Sequence, residues 1–203
     1  MQIEFLRAHL PRPRTLGCVA LCTILLATSR TIPAQQETAH HEKLGNVHFP
    51  VSCGADAQRQ FDRALAMLHS FWYPQAVDAF AALTVTNPDC AMAYWGIAVS
   101  ARANPLVGSP DAAALVRGWQ AVEKAKVAGT PTTRERQYIA AIENYHLDWQ
   151  KRDYPTRVLA YEAAMEQIHQ RYSDDYEGAL FYALAINEAV TVLPAKTRVT
   201  RGR

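Results

Sequence analysis

The stretch Gln60–Ala101, QFDRALAMLHSFWYPQAVDAFAALTVTNPDCAMAYWGIAVSA, decides how the chain is read. Phe61, Ala64, Leu65, Leu68, Phe71 and Trp72 fall at i, i+3, i+4, i+7, i+10 and i+11, a broad apolar stripe on one side of an α-helix. One helix cannot bury that face alone. Pro74 suits the first turn of a second helix, where no backbone N–H is needed, and Ala76, Phe80 and Leu83 continue the helical spacing on it. Small side chains at Ala64 and Ala76 let the two backbones approach. Asn87-Pro88 ends the hairpin, because proline disfavours the α conformation in the residue before it, and Asp89 is then placed to cap the next helix.

The pattern returns at a fixed interval. Gln60 recurs as Tyr94 and Ala64 as Ala98, each 34 residues on, with Ile97 and Ala101 completing the second opening. On Ala64, Ala76, Phe80 and Pro88, followed by Tyr94, Ile97 and Ala98, the region resembles tetratricopeptide-repeat proteins. Gln60 and Arg63 depart from it, standing where the family prefers Trp and Leu. The runs His69–Tyr73 and Cys90–Ile97 are similar to a group of exported bacterial repeat proteins of unassigned biochemical role. The resemblance implies an all-α, right-handed solenoid of stacked hairpins whose first helices line a concave groove for a peptide or protein. It implies groove-facing positions at Gln58, Phe61, Leu65 and His69, then at Met92, Trp95, Val99 and Ala103 with Arg102 adjacent, and finally at Tyr138, Ile142 and His146.

Further helices follow from the same spacing. Ala91 to Ala103 supplies one; Asn104–Pro110 interrupts; Asp111 to Ala128 resumes with Leu115, Trp119 and Val122 on one side. Gly129-Thr130-Pro131 is a break. Thr132 and Glu135 form a capping-box pattern before Tyr138, Ala141, Ile142 and Tyr145. Asp153 and Pro155 mark the next start, and Asp174 with Glu177 suggests another capping box before Leu180 and Leu184. About seven helices are expected, with a repeat domain over 57–190 and a basic irregular tail over 191–203. Solenoids normally finish on a helix with a polar outer face. The stop near Val190 therefore reads either as the front part of a longer repeat protein or as a short form whose open end binds another chain.

The N-terminus reads as an export signal over 1–34. Arg7, Arg12 and Arg14 precede the apolar run Leu16–Thr28, and Ile32-Pro33-Ala34 offers a small-residue cleavage site. That run is short for a membrane span, although an uncleaved anchor is the alternative. Without 1–34, 17 basic and 18 acidic side chains remain; setting aside the tail as well leaves 13 against 18. An acidic repeat body is a poor match for nucleic acid, and no stable membrane insertion is expected after cleavage. A periplasmic or secreted location permits disulfides. Cys53 and Cys90, each just ahead of the first helix of a repeat, are either a bridged pair or two small buried thiols.

Residues 35–56 read as a polar leader without periodicity. His40, His41 and His48 with Glu42 are ligand types for a transition metal, yet they lie on no rigid element. Catalytic signatures are lacking: there is no Gly-rich phosphate loop, no nucleophile elbow and no His-Glu-x-x-His. Glu143, His146 and Asp148 share a helical patch of a kind common on solvated faces. The expectation is a non-catalytic interaction scaffold without cofactor or metal. The alternative is the docking module of a longer protein whose enzymatic or metal-binding part is missing here.

Overall fold

The computed structural model describes residues 44–194, all of them in one compact unit. Seven helices run through these residues: α1 Ala55–His69, α2 Tyr73–Thr86, α3 Ala91–Ser100, α4 Ala112–Val127, α5 Thr133–His146, α6 Tyr154–Arg171 and α7 Tyr176–Val192. No strand occurs among the described residues, and no helix among them is long and apolar enough to cross a membrane. The stretch expected to be an export signal, His40, His41, Glu42 and most of the basic tail lie outside them.

Helix starts follow local chemistry. Asp111 accepts the Ala114 N–H at 2.8 Å, Asp153 the Thr156 N–H at 2.8 Å and Asp175 the Gly178 N–H at 3.1 Å, each satisfying one otherwise free first-turn donor. Thr132 and Glu135 form the expected reciprocal box. Two expectations are corrected. The residue before α3 is Cys90, with no side-chain cap, so Asp89 does not serve there. The α7 cap is Asp175, and Glu177 is drawn away to His69. Helix α3 also stops at Ser100, since Ala103 takes a left-handed conformation, φ 56°, that turns the chain into the 104–110 connection.

Each helix packs on its neighbours in sequence, and α1, α3 and α5 additionally touch in series. Their shared seam is the core: Phe61, Leu65, Met92, Trp95, Tyr138, Ile142 and Tyr145 are almost fully buried, joined by Phe80 and Leu83 from α2. Phe61 meets Phe80 edge-on at 5.3 Å, so the α1–α2 hairpin is closed by aromatic contact as well as by the small residues at Ala64 and Ala76.

Of the two alternatives for the cysteines, the structure has the bridge: Cys53 and Cys90 form a disulfide that ties the chain ahead of α1 to the start of α3. Constraining a loop of 37 residues in this way is worth about 3–4 kcal/mol.

Candidate functional site

Within the stretch read as a polar leader over 35–56, residues 48–52 make specific contacts with the helices. Gly54, at φ 88°, turns the chain sharply out of α1, a conformation open to a residue without Cβ. This aims residues 48–52 back along the helix. Phe49 is completely buried. Its ring stacks on Trp95 at 5.6 Å, meets Tyr138 edge-on at 5.0 Å and lies 5.7 Å from Phe61, with the Arg134 guanidinium 4.1 Å over its other side.

Around that ring, side chains of α1 and α5 read the segment's backbone. Gln58 donates to the Phe49 carbonyl and accepts the Val51 N–H, both at 2.8 Å, so one carboxamide spans Pro50 as a neighbouring strand would. Asp62 accepts the Phe49 N–H at 3.1 Å and bonds His48 at 3.0 Å. Arg134 donates to the Pro50 carbonyl at 3.0 Å, and Glu135 accepts both the N–H and the hydroxyl of Ser52 at 2.7 Å. Proline brings no N–H to satisfy and holds Phe49 extended.

The holding groups are themselves fixed. Gln58 Nε2 also donates to Asp62 one helical turn on, at 2.8 Å. Arg134 bonds Asp175 at 2.7 Å, and the Tyr138 hydroxyl donates to the same carboxylate at 2.8 Å. Burial pushes the Glu135 carboxyl up, but the hydrogen bonds from Ser52 and Thr132 outweigh it and hold the group below its ordinary value. Asp175 is held down in the same way: burial opposes, and the bonds from Arg134, Tyr138 and the Gly178 amide prevail. Both carboxylates are charged acceptors at neutral pH.

The row that the resemblance placed on an open groove is therefore covered. Phe61, Leu65, Met92, Trp95, Val99, Arg102, Tyr138, Ile142 and His146 are buried, and Gln58 is half-buried. The physical reason is twofold. Residues 48–52 occupy one end, contacting Gln58, Phe61, Trp95 and Tyr138. Over the rest lies α7: Phe181 meets Trp95 edge-on at 5.4 Å, Glu177 bonds His69 at 2.7 Å, and Glu188 pairs with Arg102.

The Arg102 end has its own character. The guanidinium lies 3.9 Å over Tyr161 and 4.8 Å over Tyr145, and Tyr154 donates to Glu188 at 3.0 Å. Burial works against the charge on Arg102, and the Glu188 carboxylate restores it. His146 donates from Nε2 to the Ala98 carbonyl at 3.0 Å, one of the last α3 carbonyls left without an intrahelical partner. It fits because Gly118 faces it; a Cβ there would lie 2.0 Å from the imidazole Cε1. Burial, reinforced by Arg102 and Arg157, drives the His146 pKa down to about 3. A neutral, enclosed imidazole is not the solvated proton-transfer patch that Glu143, His146 and Asp148 suggested. Arg102 Nε, Arg157 Nε, Ser100 Oγ and His146 Nδ1 have no hydrogen-bond partner.

Sequence reasoning missed Phe49, Asp62, Arg134 and Glu188. The signal for Phe49 was its place in Phe49-Pro50-Val51, an apolar trio within a polar stretch; Asp62 and Glu188 carried none beyond a charge near an apolar stripe. No group of three or more His, Cys, Asp or Glu side chains among the described residues is arranged to hold a metal ion. Comparison with family models, with curated proteins and with solved structures yields no match to this chain.

Proposed function

We propose that this chain is a non-catalytic peptide-binding scaffold of the tetratricopeptide type, a right-handed solenoid working outside the cytoplasm, whose site is the aromatic socket between α1, α3 and α5. One observation carries the reading: residues 48–52, which belong to no helix or strand, are held through five backbone groups by side chains of other elements while a single ring fills the socket. Backbone capture plus one specificity pocket is how extended peptides are commonly bound. The Cys53–Cys90 bridge supports an oxidising compartment. The acidic balance of the repeat body favours a protein partner over nucleic acid.

The test uses the full chain carrying Phe49→Ala, which vacates the socket, and a fluorescent peptide copying residues 46–52. Anisotropy should show saturable binding that is lost when Gln58→Ala is added, with circular dichroism confirming equal helicity. A folded Phe49→Ala chain that ignores the peptide defeats the reading.

A further inference from the structure

Resting on that reading, we propose that the socket recognises segments of other proteins in which an aromatic residue precedes proline, that residues 48–52 are its tethered occupant, and that the Cys53–Cys90 disulfide is the lock holding that occupant in place. Three features of the molecule lead there.

Specificity comes first. The ring of Phe49 is enclosed by Trp95, Phe61 and Tyr138, with a guanidinium on its remaining side, a box that suits a flat aromatic group and leaves an aliphatic chain without the cation's attraction. At the next position Gln58 bridges from the Phe49 carbonyl to the Val51 N–H, passing over Pro50 without addressing its nitrogen. Any other residue there would present an N–H needing water, whereas proline presents none and is already extended. Pro50 is exposed, and a cleft of about 710 Å³ lined by His48, Pro50, Arg134, Tyr172 and Asp175 runs beside it. A longer ligand has room there.

The lock comes second. The occupant is anchored at its C-terminal side twice, through the peptide chain into α1 and through the sulfur bridge one residue beyond Ser52 to Cys90 immediately ahead of α3. Both anchors hold the segment at a high effective concentration over the socket, so a free ligand must displace it. Cutting the sulfur bridge leaves the peptide chain through Gly54 as the remaining covalent anchor on that side.

Reducibility comes third. A cleft of about 540 Å³ opens on the bridge, lined by Ser52, Cys53, Asn87, Cys90, Gly129 and Thr130; Cys53 is partly exposed there while Cys90 is buried, so a reductant approaches from the Cys53 side. Cys90 immediately precedes α3, where the helix N-terminus favours a thiolate. A thiolate of a dithiol reductant attacks Cys53 Sγ; the S–S bond breaks, and Cys90 leaves as the stabilised thiolate. The reductant's second thiolate then resolves the mixed disulfide. Two electrons and two protons pass to the two cysteines, and the reductant becomes a disulfide.

The experiment measures anisotropy of the labelled 46–52 peptide against the full chain, oxidised and after dithiothreitol, with Cys53→Ser/Cys90→Ser and Phe49→Ala as variants. The reduced chain should bind about tenfold more tightly than the oxidised one, as expected when one of two tethers on a competitor is removed. The serine variant should match the reduced chain with or without reductant. A peptide with alanine in place of phenylalanine, or with alanine in place of proline, should bind more weakly. In the unmodified chain, the Val51 and Ser52 amides should exchange with solvent faster after reduction, a readout independent of any variant's folding. Binding by the Phe49→Ala chain together with equal affinity and equal exchange in the two redox states overturns the lock and leaves the socket standing. Equal binding of the substituted peptides overturns the aromatic–proline preference. No binding by the folded Phe49→Ala chain removes the underlying site as well.

Discussion

The two ends of the row formed by α1, α3 and α5 are closed by opposite chemistry. At the Phe49 end, an apolar ring is buried and five backbone groups around it are bonded by Gln58, Asp62, Arg134 and Glu135. At the Arg102 end, a charged pair between α7 and the turn that follows α3 is buried, and several polar atoms are left without partners. A ring and a set of amide bonds can be replaced by an equivalent peptide at little net cost, since the same interactions are re-formed. A buried ion pair has no such substitute. The first closure is suited to exchange, the second to permanence.

The sharpest way to break this contrast is to remove one charge. Arg102→Met leaves Glu188 buried and unpaired and should cost about 3–5 kcal/mol by urea unfolding, while adding Glu188→Leu should recover most of it. A single-variant loss below about 1 kcal/mol would mean that water reaches Glu188 and that the two ends are alike.

Acid separates the ends next. His146 is neutral in the folded chain down to about pH 3, whereas the unfolded chain takes up its proton near the ordinary value of 6.5. The unfolded state thus binds more protons in that interval, and stability falls as pH drops from 6.5 towards 3, by about 2 kcal/mol at pH 5. Glu135 and Asp175 at the other end titrate below their ordinary values, so their contribution is complete above those values and is lost only as pH falls through the lower folded ones. Urea curves at pH 7 and pH 5 should show the loss in the parent and little of it in His146→Gln. An equal loss in both would assign the acid sensitivity elsewhere.

The smallest effect probes the exchangeable end alone. Ser52→Ala removes the hydroxyl bond to Glu135 while keeping the backbone bond, and should cost about 1 kcal/mol in the same assay. A much larger loss would show that Ser52 anchors the segment by more than one replaceable bond.

Much of the helical content was legible because it is written in local patterns: stripes at 3.6-residue spacing, Asp111 and Asp153 before their helices, the Thr132–Glu135 box, the break at Gly129. The resemblance also placed Phe61, Trp95 and Tyr138 along one groove; in the structure all three rings lie against Phe49. Their exposure was not legible. It depends on where residues 48–52 and α7 come to rest, and those placements rest on contacts spanning large separations, such as Ser52 with Glu135 and Arg102 with Glu188. Asp174 illustrates the same limit on a small scale: Asp174 and Glu177 satisfy a local capping rule, yet His69 outbids it for Glu177 from the other end of the fold.

The reach of α7 alters how the molecule comes apart. In an open array each unit meets only the next, so an end helix can fray while the remainder holds, and unfolding spreads gradually from the terminus. Here α7 is bonded to α1 through Glu177, meets α3 edge-on through Phe181 and is paired through Glu188 with Arg102 just past the end of α3, so it cannot peel away without uncovering Trp95 and stranding Arg102. Partial opening is therefore penalised across three helices at once, and the chain is built to melt in one concerted transition, as a closed globule does.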